Sequence, residues 1–345
     1  MSERFCLHGA RRLALAVAIV AALAAVGAGR VSAEESKTFV MKLGSLTVND
    51  QVNQWLKSFV AGVESKAGGR IKGEIYPSGQ LGSAARMIEG TQFGSIQAIA
   101  FPPDFFSGID ERFEVASAPG TFTSLEEVNR VVFDPAFRKA FLALGSNKGL
   151  VGIGLFPNSA VTVLTRKPVH HLADFKGLKI RILASDFQME QIRRLDATPV
   201  AMSLGDVASA LQQGAIDGAL ASIPAFTPLH FYDAAKYMTE TGQYYVLIVV
   251  EMSKKWFDTL PPDLQKIILE EADRSSHDIF AWQQDDIAKQ RKTWLDHGGE
   301  LIQLPPAEEA ELMKRMSTIA DDVGQRRPAI KEMYDQLKAA VQRNP

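Results

Sequence analysis

Strand-like and helix-like segments alternate along most of this 345-residue chain, and this alternation limits the possible folds more than any other feature. Residues 37–43 alternate between apolar and polar side chains, as in a half-buried strand. In residues 49–67 the apolar side chains instead recur at helical spacing, and Gly68 and Gly69 follow as C-terminal glycines do. The alternation predicts an α/β fold with mostly parallel strands.

The same reading extends along the whole chain and ends in a strongly helical segment. We predict strands at residues 37–43, 71–76, 96–101, 150–156, 161–165, 178–182, 216–221 and 244–252. We predict helices at residues 49–67, 83–90, 124–133, 135–144, 186–195, 203–213, 262–298, 306–319 and 329–342.

The first 33 residues have the pattern of an export signal. Arg4, Arg11 and Arg12 precede an apolar run over residues 13–29, and small residues at Val31 and Ala33 provide a cleavage site. A membrane anchor is the alternative, but the run is short for a span and rich in alanine. We expect cleavage after Ala33 and a periplasmic protein that begins at Glu34, whether the signal is of the general or the twin-arginine type.

About 312 residues remain without that segment, which is too many for one simple core and suits two domains of ~150 residues. We predict two lobes, the first from residues 34–157 and 245–290 and the second from residues 158–244 and 291–345. Strands near Phe156 and Tyr244 would join the lobes, with the C-terminal helices packing across both. Small molecules commonly bind in clefts between such lobes.

Charge and cysteine content exclude several classes of function. Without residues 1–33 the net charge changes from −2 to about −5, and no basic stripe is present, so nucleic acid is not an expected partner. The only cysteine, Cys6, lies within the signal. The mature chain is therefore expected to have no disulfide, no thiolate metal site and no cysteine nucleophile.

Sequence motifs for catalysis or cofactor binding are also missing. There is no phosphate-binding Gly-x-x-x-x-Gly-Lys-Ser/Thr loop, no His-Glu-x-x-His and no Gly-x-Ser-x-Gly. Gly152 and Gly154 begin like a dinucleotide fingerprint, but Pro157 replaces the third glycine. His170 and His171 are adjacent in an extended segment and would point in opposite directions. We therefore predict no cofactor, no metal site and no catalytic residues.

Three segments, in order and spacing, resemble the DctP family of solute-binding proteins from tripartite ATP-independent periplasmic (TRAP) transporters. They are residues 69–82 (GRIKGEIYPSGQLG), residues 172–181 (LADFKGLKIR), and residues 197–202 (ATPVAM) with 210–218 (ALQQGAIDG). The resemblance extends through residues 253–256 (SKKW) and 260–262 (LPP). It implies a two-lobed, type II-like periplasmic binding protein with a hinge, which closes over its ligand and docks on a membrane permease.

The resemblance also implies that Arg181 is an arginine of the cleft. Local chemistry agrees, because a guanidinium can hold a carboxylate through two parallel hydrogen bonds. Arg181 ends a predicted strand, where the ligand sites of α/β proteins usually lie. The alternative is a solvent-facing charge beside Lys179. The full set of candidate ligand-binding residues is Arg181, Phe101, Phe105, Asn158, Leu204, Ala221 and Phe226.

Several positions depart from the family pattern, and all of them remove polar groups. Ala160 stands where members that bind sugar acids or C4-dicarboxylates commonly have a second arginine. Residues 219–222 (ALAS) replace a polar Gln-Glu-Asn-Pro, and residues 101–106 (FPPDFF) replace a charged loop. These changes favour a monocarboxylate with an apolar or aromatic body.

We therefore predict a non-catalytic periplasmic subunit that captures an organic acid and delivers it to TRAP permease subunits. Two alternatives stay open on the sequence alone. A sensor-coupled binding protein could share the whole pattern, whereas a secreted hydrolase or lyase would convert its ligand chemically.

Overall fold

The computed structural model describes residues 38–345, so the expected export signal lies outside the described residues. The strands are β1 (Phe39–Ser45), β2 (Ile71–Tyr76), β3 (Ala98–Phe101), β4 (Leu150–Thr165), β5 (Lys179–Ile182), β6 (Thr198–Ala201), β7 (Gly218–Ser222), β8 (Tyr237–Thr239), β9 (Tyr245–Ser253) and β10 (Glu300–Ile302). The helices are α1 (Gln51–Ala67), α2 (Ala84–Phe93), α3 (Leu125–Val132), α4 (Pro135–Leu142), α5 (Asp186–Arg193), α6 (Leu204–Gln213), α7 (Ile223–Phe226), α8 (Lys254–Phe257), α9 (Pro262–Asp296), α10 (Pro306–Met316), α11 (Ile319–Arg326) and α12 (Pro328–Arg343).

The strands form two half-sheets that share β4, in the order β2-β1-β3-β9-β4-β7-β5-β6. In the first lobe β1 is parallel to β2 and β3, while β9 runs antiparallel between β3 and β4. In the second lobe β5 is parallel to β6 and β7, and β8 joins β4 to β10. The two-lobed α/β fold expected from the sequence is confirmed, and the exact lobe boundaries stay a prediction.

Strand β4 passes from one lobe to the other, which corrects the prediction of two separate strands there. Its first part pairs with β9, and residues 161–165 pair with β7 and β8. The segment from Pro157 to Ala160 resembles a turn in sequence, but the structure accommodates it by a shift in register. Such a bulge lets a strand continue past a proline, which cannot donate a ladder hydrogen bond.

Helix α9 has 35 residues, is about 50 Å long and reaches both lobes. Near its start it packs on α1, where the indole of Trp55 donates a 3.1 Å hydrogen bond to Ser276 Oγ. Near its end Trp294 lies in the core of the second lobe and donates to the carbonyl of Lys236 at 3.2 Å. Gln283, between them, donates to the carbonyl of Asn158 in the β4 bulge.

The C-terminal helices also contact both lobes, as the fold class predicted. Arg194, the C-cap of α5, pairs with Asp322 of α11 in the second lobe, whereas Arg343 of α12 pairs with Asp134, the N-cap of α4 in the first. The predicted helix at 306–319 corresponds to α10, which ends at Met316, and α11 was not predicted. None of the helices between residues 38 and 345 has the length and apolar character needed to cross a membrane.

Candidate functional site

A buried cavity of about 70 Å³ lies where the two lobes meet. This exceeds the roughly 10–15 Å³ that one water molecule needs. Residues from β3, the β4 bulge and the start of β9 form one side, and residues from β5, α6 and β7 form the other. Its polar lining residues are Thr47, Asp50, Asp104, Asn158, Arg181, Gln188, Ser222 and Tyr244. The other lining residues are apolar, including Phe101, Phe105, Leu204 and Ile248.

Arg181 is the only basic residue on the cavity wall within the described part of the chain. It sits near the carboxyl end of β5, and only 2% of it is exposed. Its Nε donates a 2.9 Å hydrogen bond to the carbonyl of Met202, which fixes the guanidinium. Its Nη2 has no hydrogen-bond partner among residues 38–345. A buried guanidinium with a free donor at a cavity wall is suited to binding an anion.

Burial lowers the pKa of Arg181 to about 10, and a coulombic interaction with Tyr244 opposes this effect. The guanidinium therefore stays charged at neutral pH. A buried charge without a counterion is costly, so an anionic ligand would supply the partner that residues 38–345 do not give to Nη2.

Two buried carboxyl groups also line the cavity. Asp104 accepts a 2.6 Å hydrogen bond from Ser117, and burial raises its pKa to about 6 although that bond opposes the shift. Asp50 caps α1 by accepting a 3.0 Å hydrogen bond from the backbone N–H of Asn53. Burial likewise raises the pKa of Asp50 to about 6. The cavity thus offers one cation and two partly ionised acids.

Contacts between the lobes close the cavity on the side of α5. Glu114 of the first lobe accepts a 2.7 Å hydrogen bond from the backbone N–H of Asp186 in the second. Burial raises the pKa of Glu114 to about 7, although that bond opposes the shift. Arg327 pairs with both Glu111 and Asp186, and so connects the two lobes through the start of α12. We call this arrangement, in which the two lobes contact each other beside the cavity, the closed form.

Two open grooves flank the cavity and mark the mouth of the cleft. Both include Ser83, the N-cap of α2 in the first lobe, and Ser203, the N-cap of α6 in the second. One groove shares Leu46 and Leu204 with the cavity, and the other shares Asp104 and Phe105. The mouth is thus formed by the same two lobes that enclose the cavity.

The structure brings six of the seven candidate residues together on the cavity wall. They are Arg181, Phe101, Phe105, Asn158, Leu204 and Ala221. Phe226 is not among the lining residues and instead packs against Phe231 in the core of the second lobe. Ala160 is not on the wall either. Sequence reasoning missed Asp50, Asp104 and Tyr244, of which only Asp104 had a local signal, as a charge within the apolar 101–106 loop.

No group of three or more His, Cys, Asp and Glu in the described range is arranged to hold a metal ion. The cavity is suited to enclosing a small anion, because the fixed guanidinium of Arg181 faces apolar and aromatic walls. These walls belong to two lobes that share strand β4. This combination defines a two-lobed solute-binding protein.

The chain belongs to the bacterial extracellular solute-binding proteins, family 7 (DctP), which it matches over residues 44–326. YiiZ of Salmonella typhimurium is 30% identical over 207 residues, which cover 60% of this chain and 63% of that relative. A TRAP periplasmic solute-binding protein from Shewanella oneidensis, solved with bound succinate, is 25% identical with a TM-score of 0.81, over 88% of this chain and 99% of that one. A TRAP periplasmic solute-binding protein from Sulfitobacter, solved with bound β-D-galacturonate, is 22% identical with a TM-score of 0.81. The match covers 87% of this chain and 99% of that one.

Family membership confirms the resemblance drawn from the sequence. It also confirms that the chain is a binding protein and not an enzyme, so the hydrolase or lyase alternative is set aside. Periplasmic location is a property of the TRAP proteins with this fold.

Proposed function

We propose that this protein captures a monocarboxylate with an apolar or aromatic body in the interlobe cavity and delivers it to TRAP permease subunits. The observation that carries the proposal is the lone buried guanidinium of Arg181, whose Nη2 has no partner among the described residues. A carboxylate would accept from Nη2 and neutralise the charge. The solute-binding family, and the succinate and galacturonate bound by two proteins of the same fold, support an organic acid.

The cavity wall favours one carboxylate over two. A second carboxylate would find no further basic side chain among the described lining residues. It would instead share the cavity with Asp50 and Asp104. Burying a charge without a partner costs several kcal/mol, so a dicarboxylate such as succinate should bind weakly here.

The remaining wall suits an apolar body. Phe101, Phe105 and Ile248 lie on the side of the first lobe, and Leu204 and Leu220 on the side of the second. Aromatic contacts add about 0.5–1.5 kcal/mol beyond burial, whereas each hydroxyl of a polyol left without a partner would cost about 1–3 kcal/mol. A uronic acid should therefore also bind weakly.

Titration calorimetry tests this proposal directly. Purified protein is titrated with phenylacetate, 3-methylbutanoate, succinate and galacturonate under identical conditions. We expect one of the two monocarboxylates to bind at least tenfold more tightly than either polar acid, because each unpaired buried group costs more than about 1 kcal/mol. Tightest binding of succinate or galacturonate would show that the proposed ligand class is wrong.

Ligand binding should also close the protein. Because Glu114, Asp186 and Arg327 hold the lobes together in this closed form, we expect the ligand-free protein to open about the strands that join them. Small-angle scattering should then give a smaller radius of gyration with the tightest-binding acid than without it. An identical radius in both states would contradict closure about a hinge.

A further inference from the structure

Tyr244 is a buried side chain on the cavity wall whose hydroxyl is free. It directly precedes β9, only 5% of it is exposed, and it lines the same cavity as Arg181. Its hydroxyl makes no hydrogen bond to any of the residues 38–345. The hydroxyl is not among the polar atoms that are both fully buried and unpaired, so its oxygen stays accessible to a molecule in the cavity, and a tyrosine hydroxyl in such a place usually finds a partner. The partner is therefore expected to come from the contents of the cavity.

The charges around this hydroxyl define what that partner can be. Asp104 and Arg181 line the same cavity, and both act on Tyr244 through their charges. Burial, together with the negative charge of Asp104, raises the pKa of Tyr244 well above 10, while Arg181 opposes this. The phenol is thus neutral and can both donate and accept a hydrogen bond.

Asp104 adds an acceptor to the same part of the wall. Its Oδ1 accepts from Ser117, and Ser185 and Gln188 also donate to this carboxyl group. An ionised carboxylate has about four acceptor sites, so one is left for a ligand. A ligand group beside the ligand's own carboxylate therefore meets the Tyr244 hydroxyl, which both donates and accepts, and the Asp104 carboxylate, which only accepts. An alcohol matches this pair because it has one donor and two acceptor sites, whereas a methylene group leaves the tyrosine hydroxyl unpaired.

We propose that Tyr244 and Asp104 form a second polar contact point near Arg181, which selects acids that carry a hydroxyl next to the carboxylate. This rests on the proposed function, in that Arg181 holds the carboxylate. Tyr244 binds the hydroxyl directly, and Asp104 accepts its proton in a hydrogen bond. The ligand is then a 2-hydroxy monocarboxylate whose remaining body contacts the apolar wall.

Two matched pairs of acids and one matched pair of variants test this inference. Mandelate is compared with phenylacetate, and 2-hydroxy-3-methylbutanoate with 3-methylbutanoate, by titration calorimetry. In the unaltered protein the hydroxy acid of the preferred pair should bind about tenfold more tightly. Tyr244→Phe should bring that ratio close to one. Tyr245→Phe is the control, because the Tyr245 hydroxyl donates to the carbonyl of Thr123 at 3.5 Å and does not line the cavity.

Melting temperatures separate recognition from a merely structural role. Tyr244→Phe should change the melting temperature little in the absence of ligand, and its loss of affinity should be confined to the hydroxy acids. Asp104→Asn, in which the amide oxygen can still accept from Ser117, should also reduce the ratio of affinities between the hydroxy acid and the acid that lacks the hydroxyl. Equal affinities within both pairs in the unaltered protein, or an unchanged ratio in Tyr244→Phe, would overturn the inference.

The same titrations would show separately whether the proposed function is wrong. If succinate or galacturonate binds the unaltered protein more tightly than all four monocarboxylates, the ligand class is wrong. Titration of Tyr244→Phe with that acid still decides the role of Tyr244. A tenfold loss would retain the tyrosine as a ligand contact, and an unchanged affinity would overturn that role.

Discussion

Arg181→Ala is expected to weaken binding of the tightest-binding acid by about 2–5 kcal/mol, which is roughly 30-fold to several thousand-fold in Kd. The reason is that the arginine is buried, its Nε is held by Met202 and its Nη2 has no partner of its own. Removing it would leave the ligand carboxylate buried without a counterion. Arg181→Lys should also weaken binding, since an ammonium group cannot form two parallel hydrogen bonds in a fixed plane.

Calorimetry and thermal melting of the same samples provide the measurement and its control. Arg193→Ala is the matched variant, because Arg193 is an exposed arginine of the second lobe that pairs with Glu190 and does not line the cavity. It should leave the affinity unchanged. An Arg181→Ala protein that melts cooperatively and retains the original affinity would exclude Arg181 as the carboxylate site.

Glu251→Met is expected to stabilise the protein by on the order of 1–3 kcal/mol at neutral pH. Glu251 lies towards the end of β9, between β3 and β4, and is fully buried. Neither carboxyl oxygen has a hydrogen-bond partner among the described residues, and burial raises its pKa well above 4.5. Methionine has a similar length and no group that requires such a partner.

The stabilisation by Glu251→Met should depend on pH in a defined direction. Below pH 4.5 the carboxyl group is protonated in both the folded and the unfolded chain, so ionisation contributes no penalty. Above that pH the unfolded chain releases its proton while the folded one retains it, so the free energy of unfolding falls as pH rises towards the folded-state pKa. The advantage of the variant should therefore grow as the pH rises above 4.5.

Urea unfolding at several pH values checks this result. Glu251→Gln should also remove the pH dependence, although its amide still lacks partners. Glu270→Gln, at an exposed glutamate of α9, is the control and should change little. A free-energy difference between Glu251→Met and the unaltered protein that is constant with pH would show that the carboxyl group titrates normally.

Local sequence patterns were sufficient for most of the fold. The strand at 71–76 coincides with β2, and the helix at 49–67 starts two residues before α1, because these segments have both a clear period and glycines at their ends. The short strands β6, β8 and β10 were missed, since they have only three or four residues. Their pairing depends on neighbours that lie far away in the sequence. β3 and β5 are equally short, but each ends a predicted run of five or six residues.

The residues of the candidate site likewise fall into those that local sequence patterns predict and those that depend on strand pairing or packing. Arg181 was predicted because residues 172–181, which run to the end of β5, resemble a segment of the DctP family. The pairing of β9 with both β3 and β4 brings Tyr244 to the same cavity as Arg181, from which it is 63 positions distant in sequence, and no local pattern contains that information. Phe226 shows the opposite case, because an aromatic residue after a strand suits a cavity wall and a core equally well until packing is known.

The place of β9 in the first half-sheet has a consequence for how the chain matures. Because β9 lies between β3 and β4, the first lobe is completed only when residues 245–253 are available. A chain that is still being synthesised, and has not reached that point, has an open edge on β3 and an unfilled position beside β4. Contacts between such distant residues form slowly, because a long loop must close first. Incomplete chains should therefore remain unfolded and suitable for threading through a translocation channel, and they should also be the species most prone to edge-to-edge aggregation.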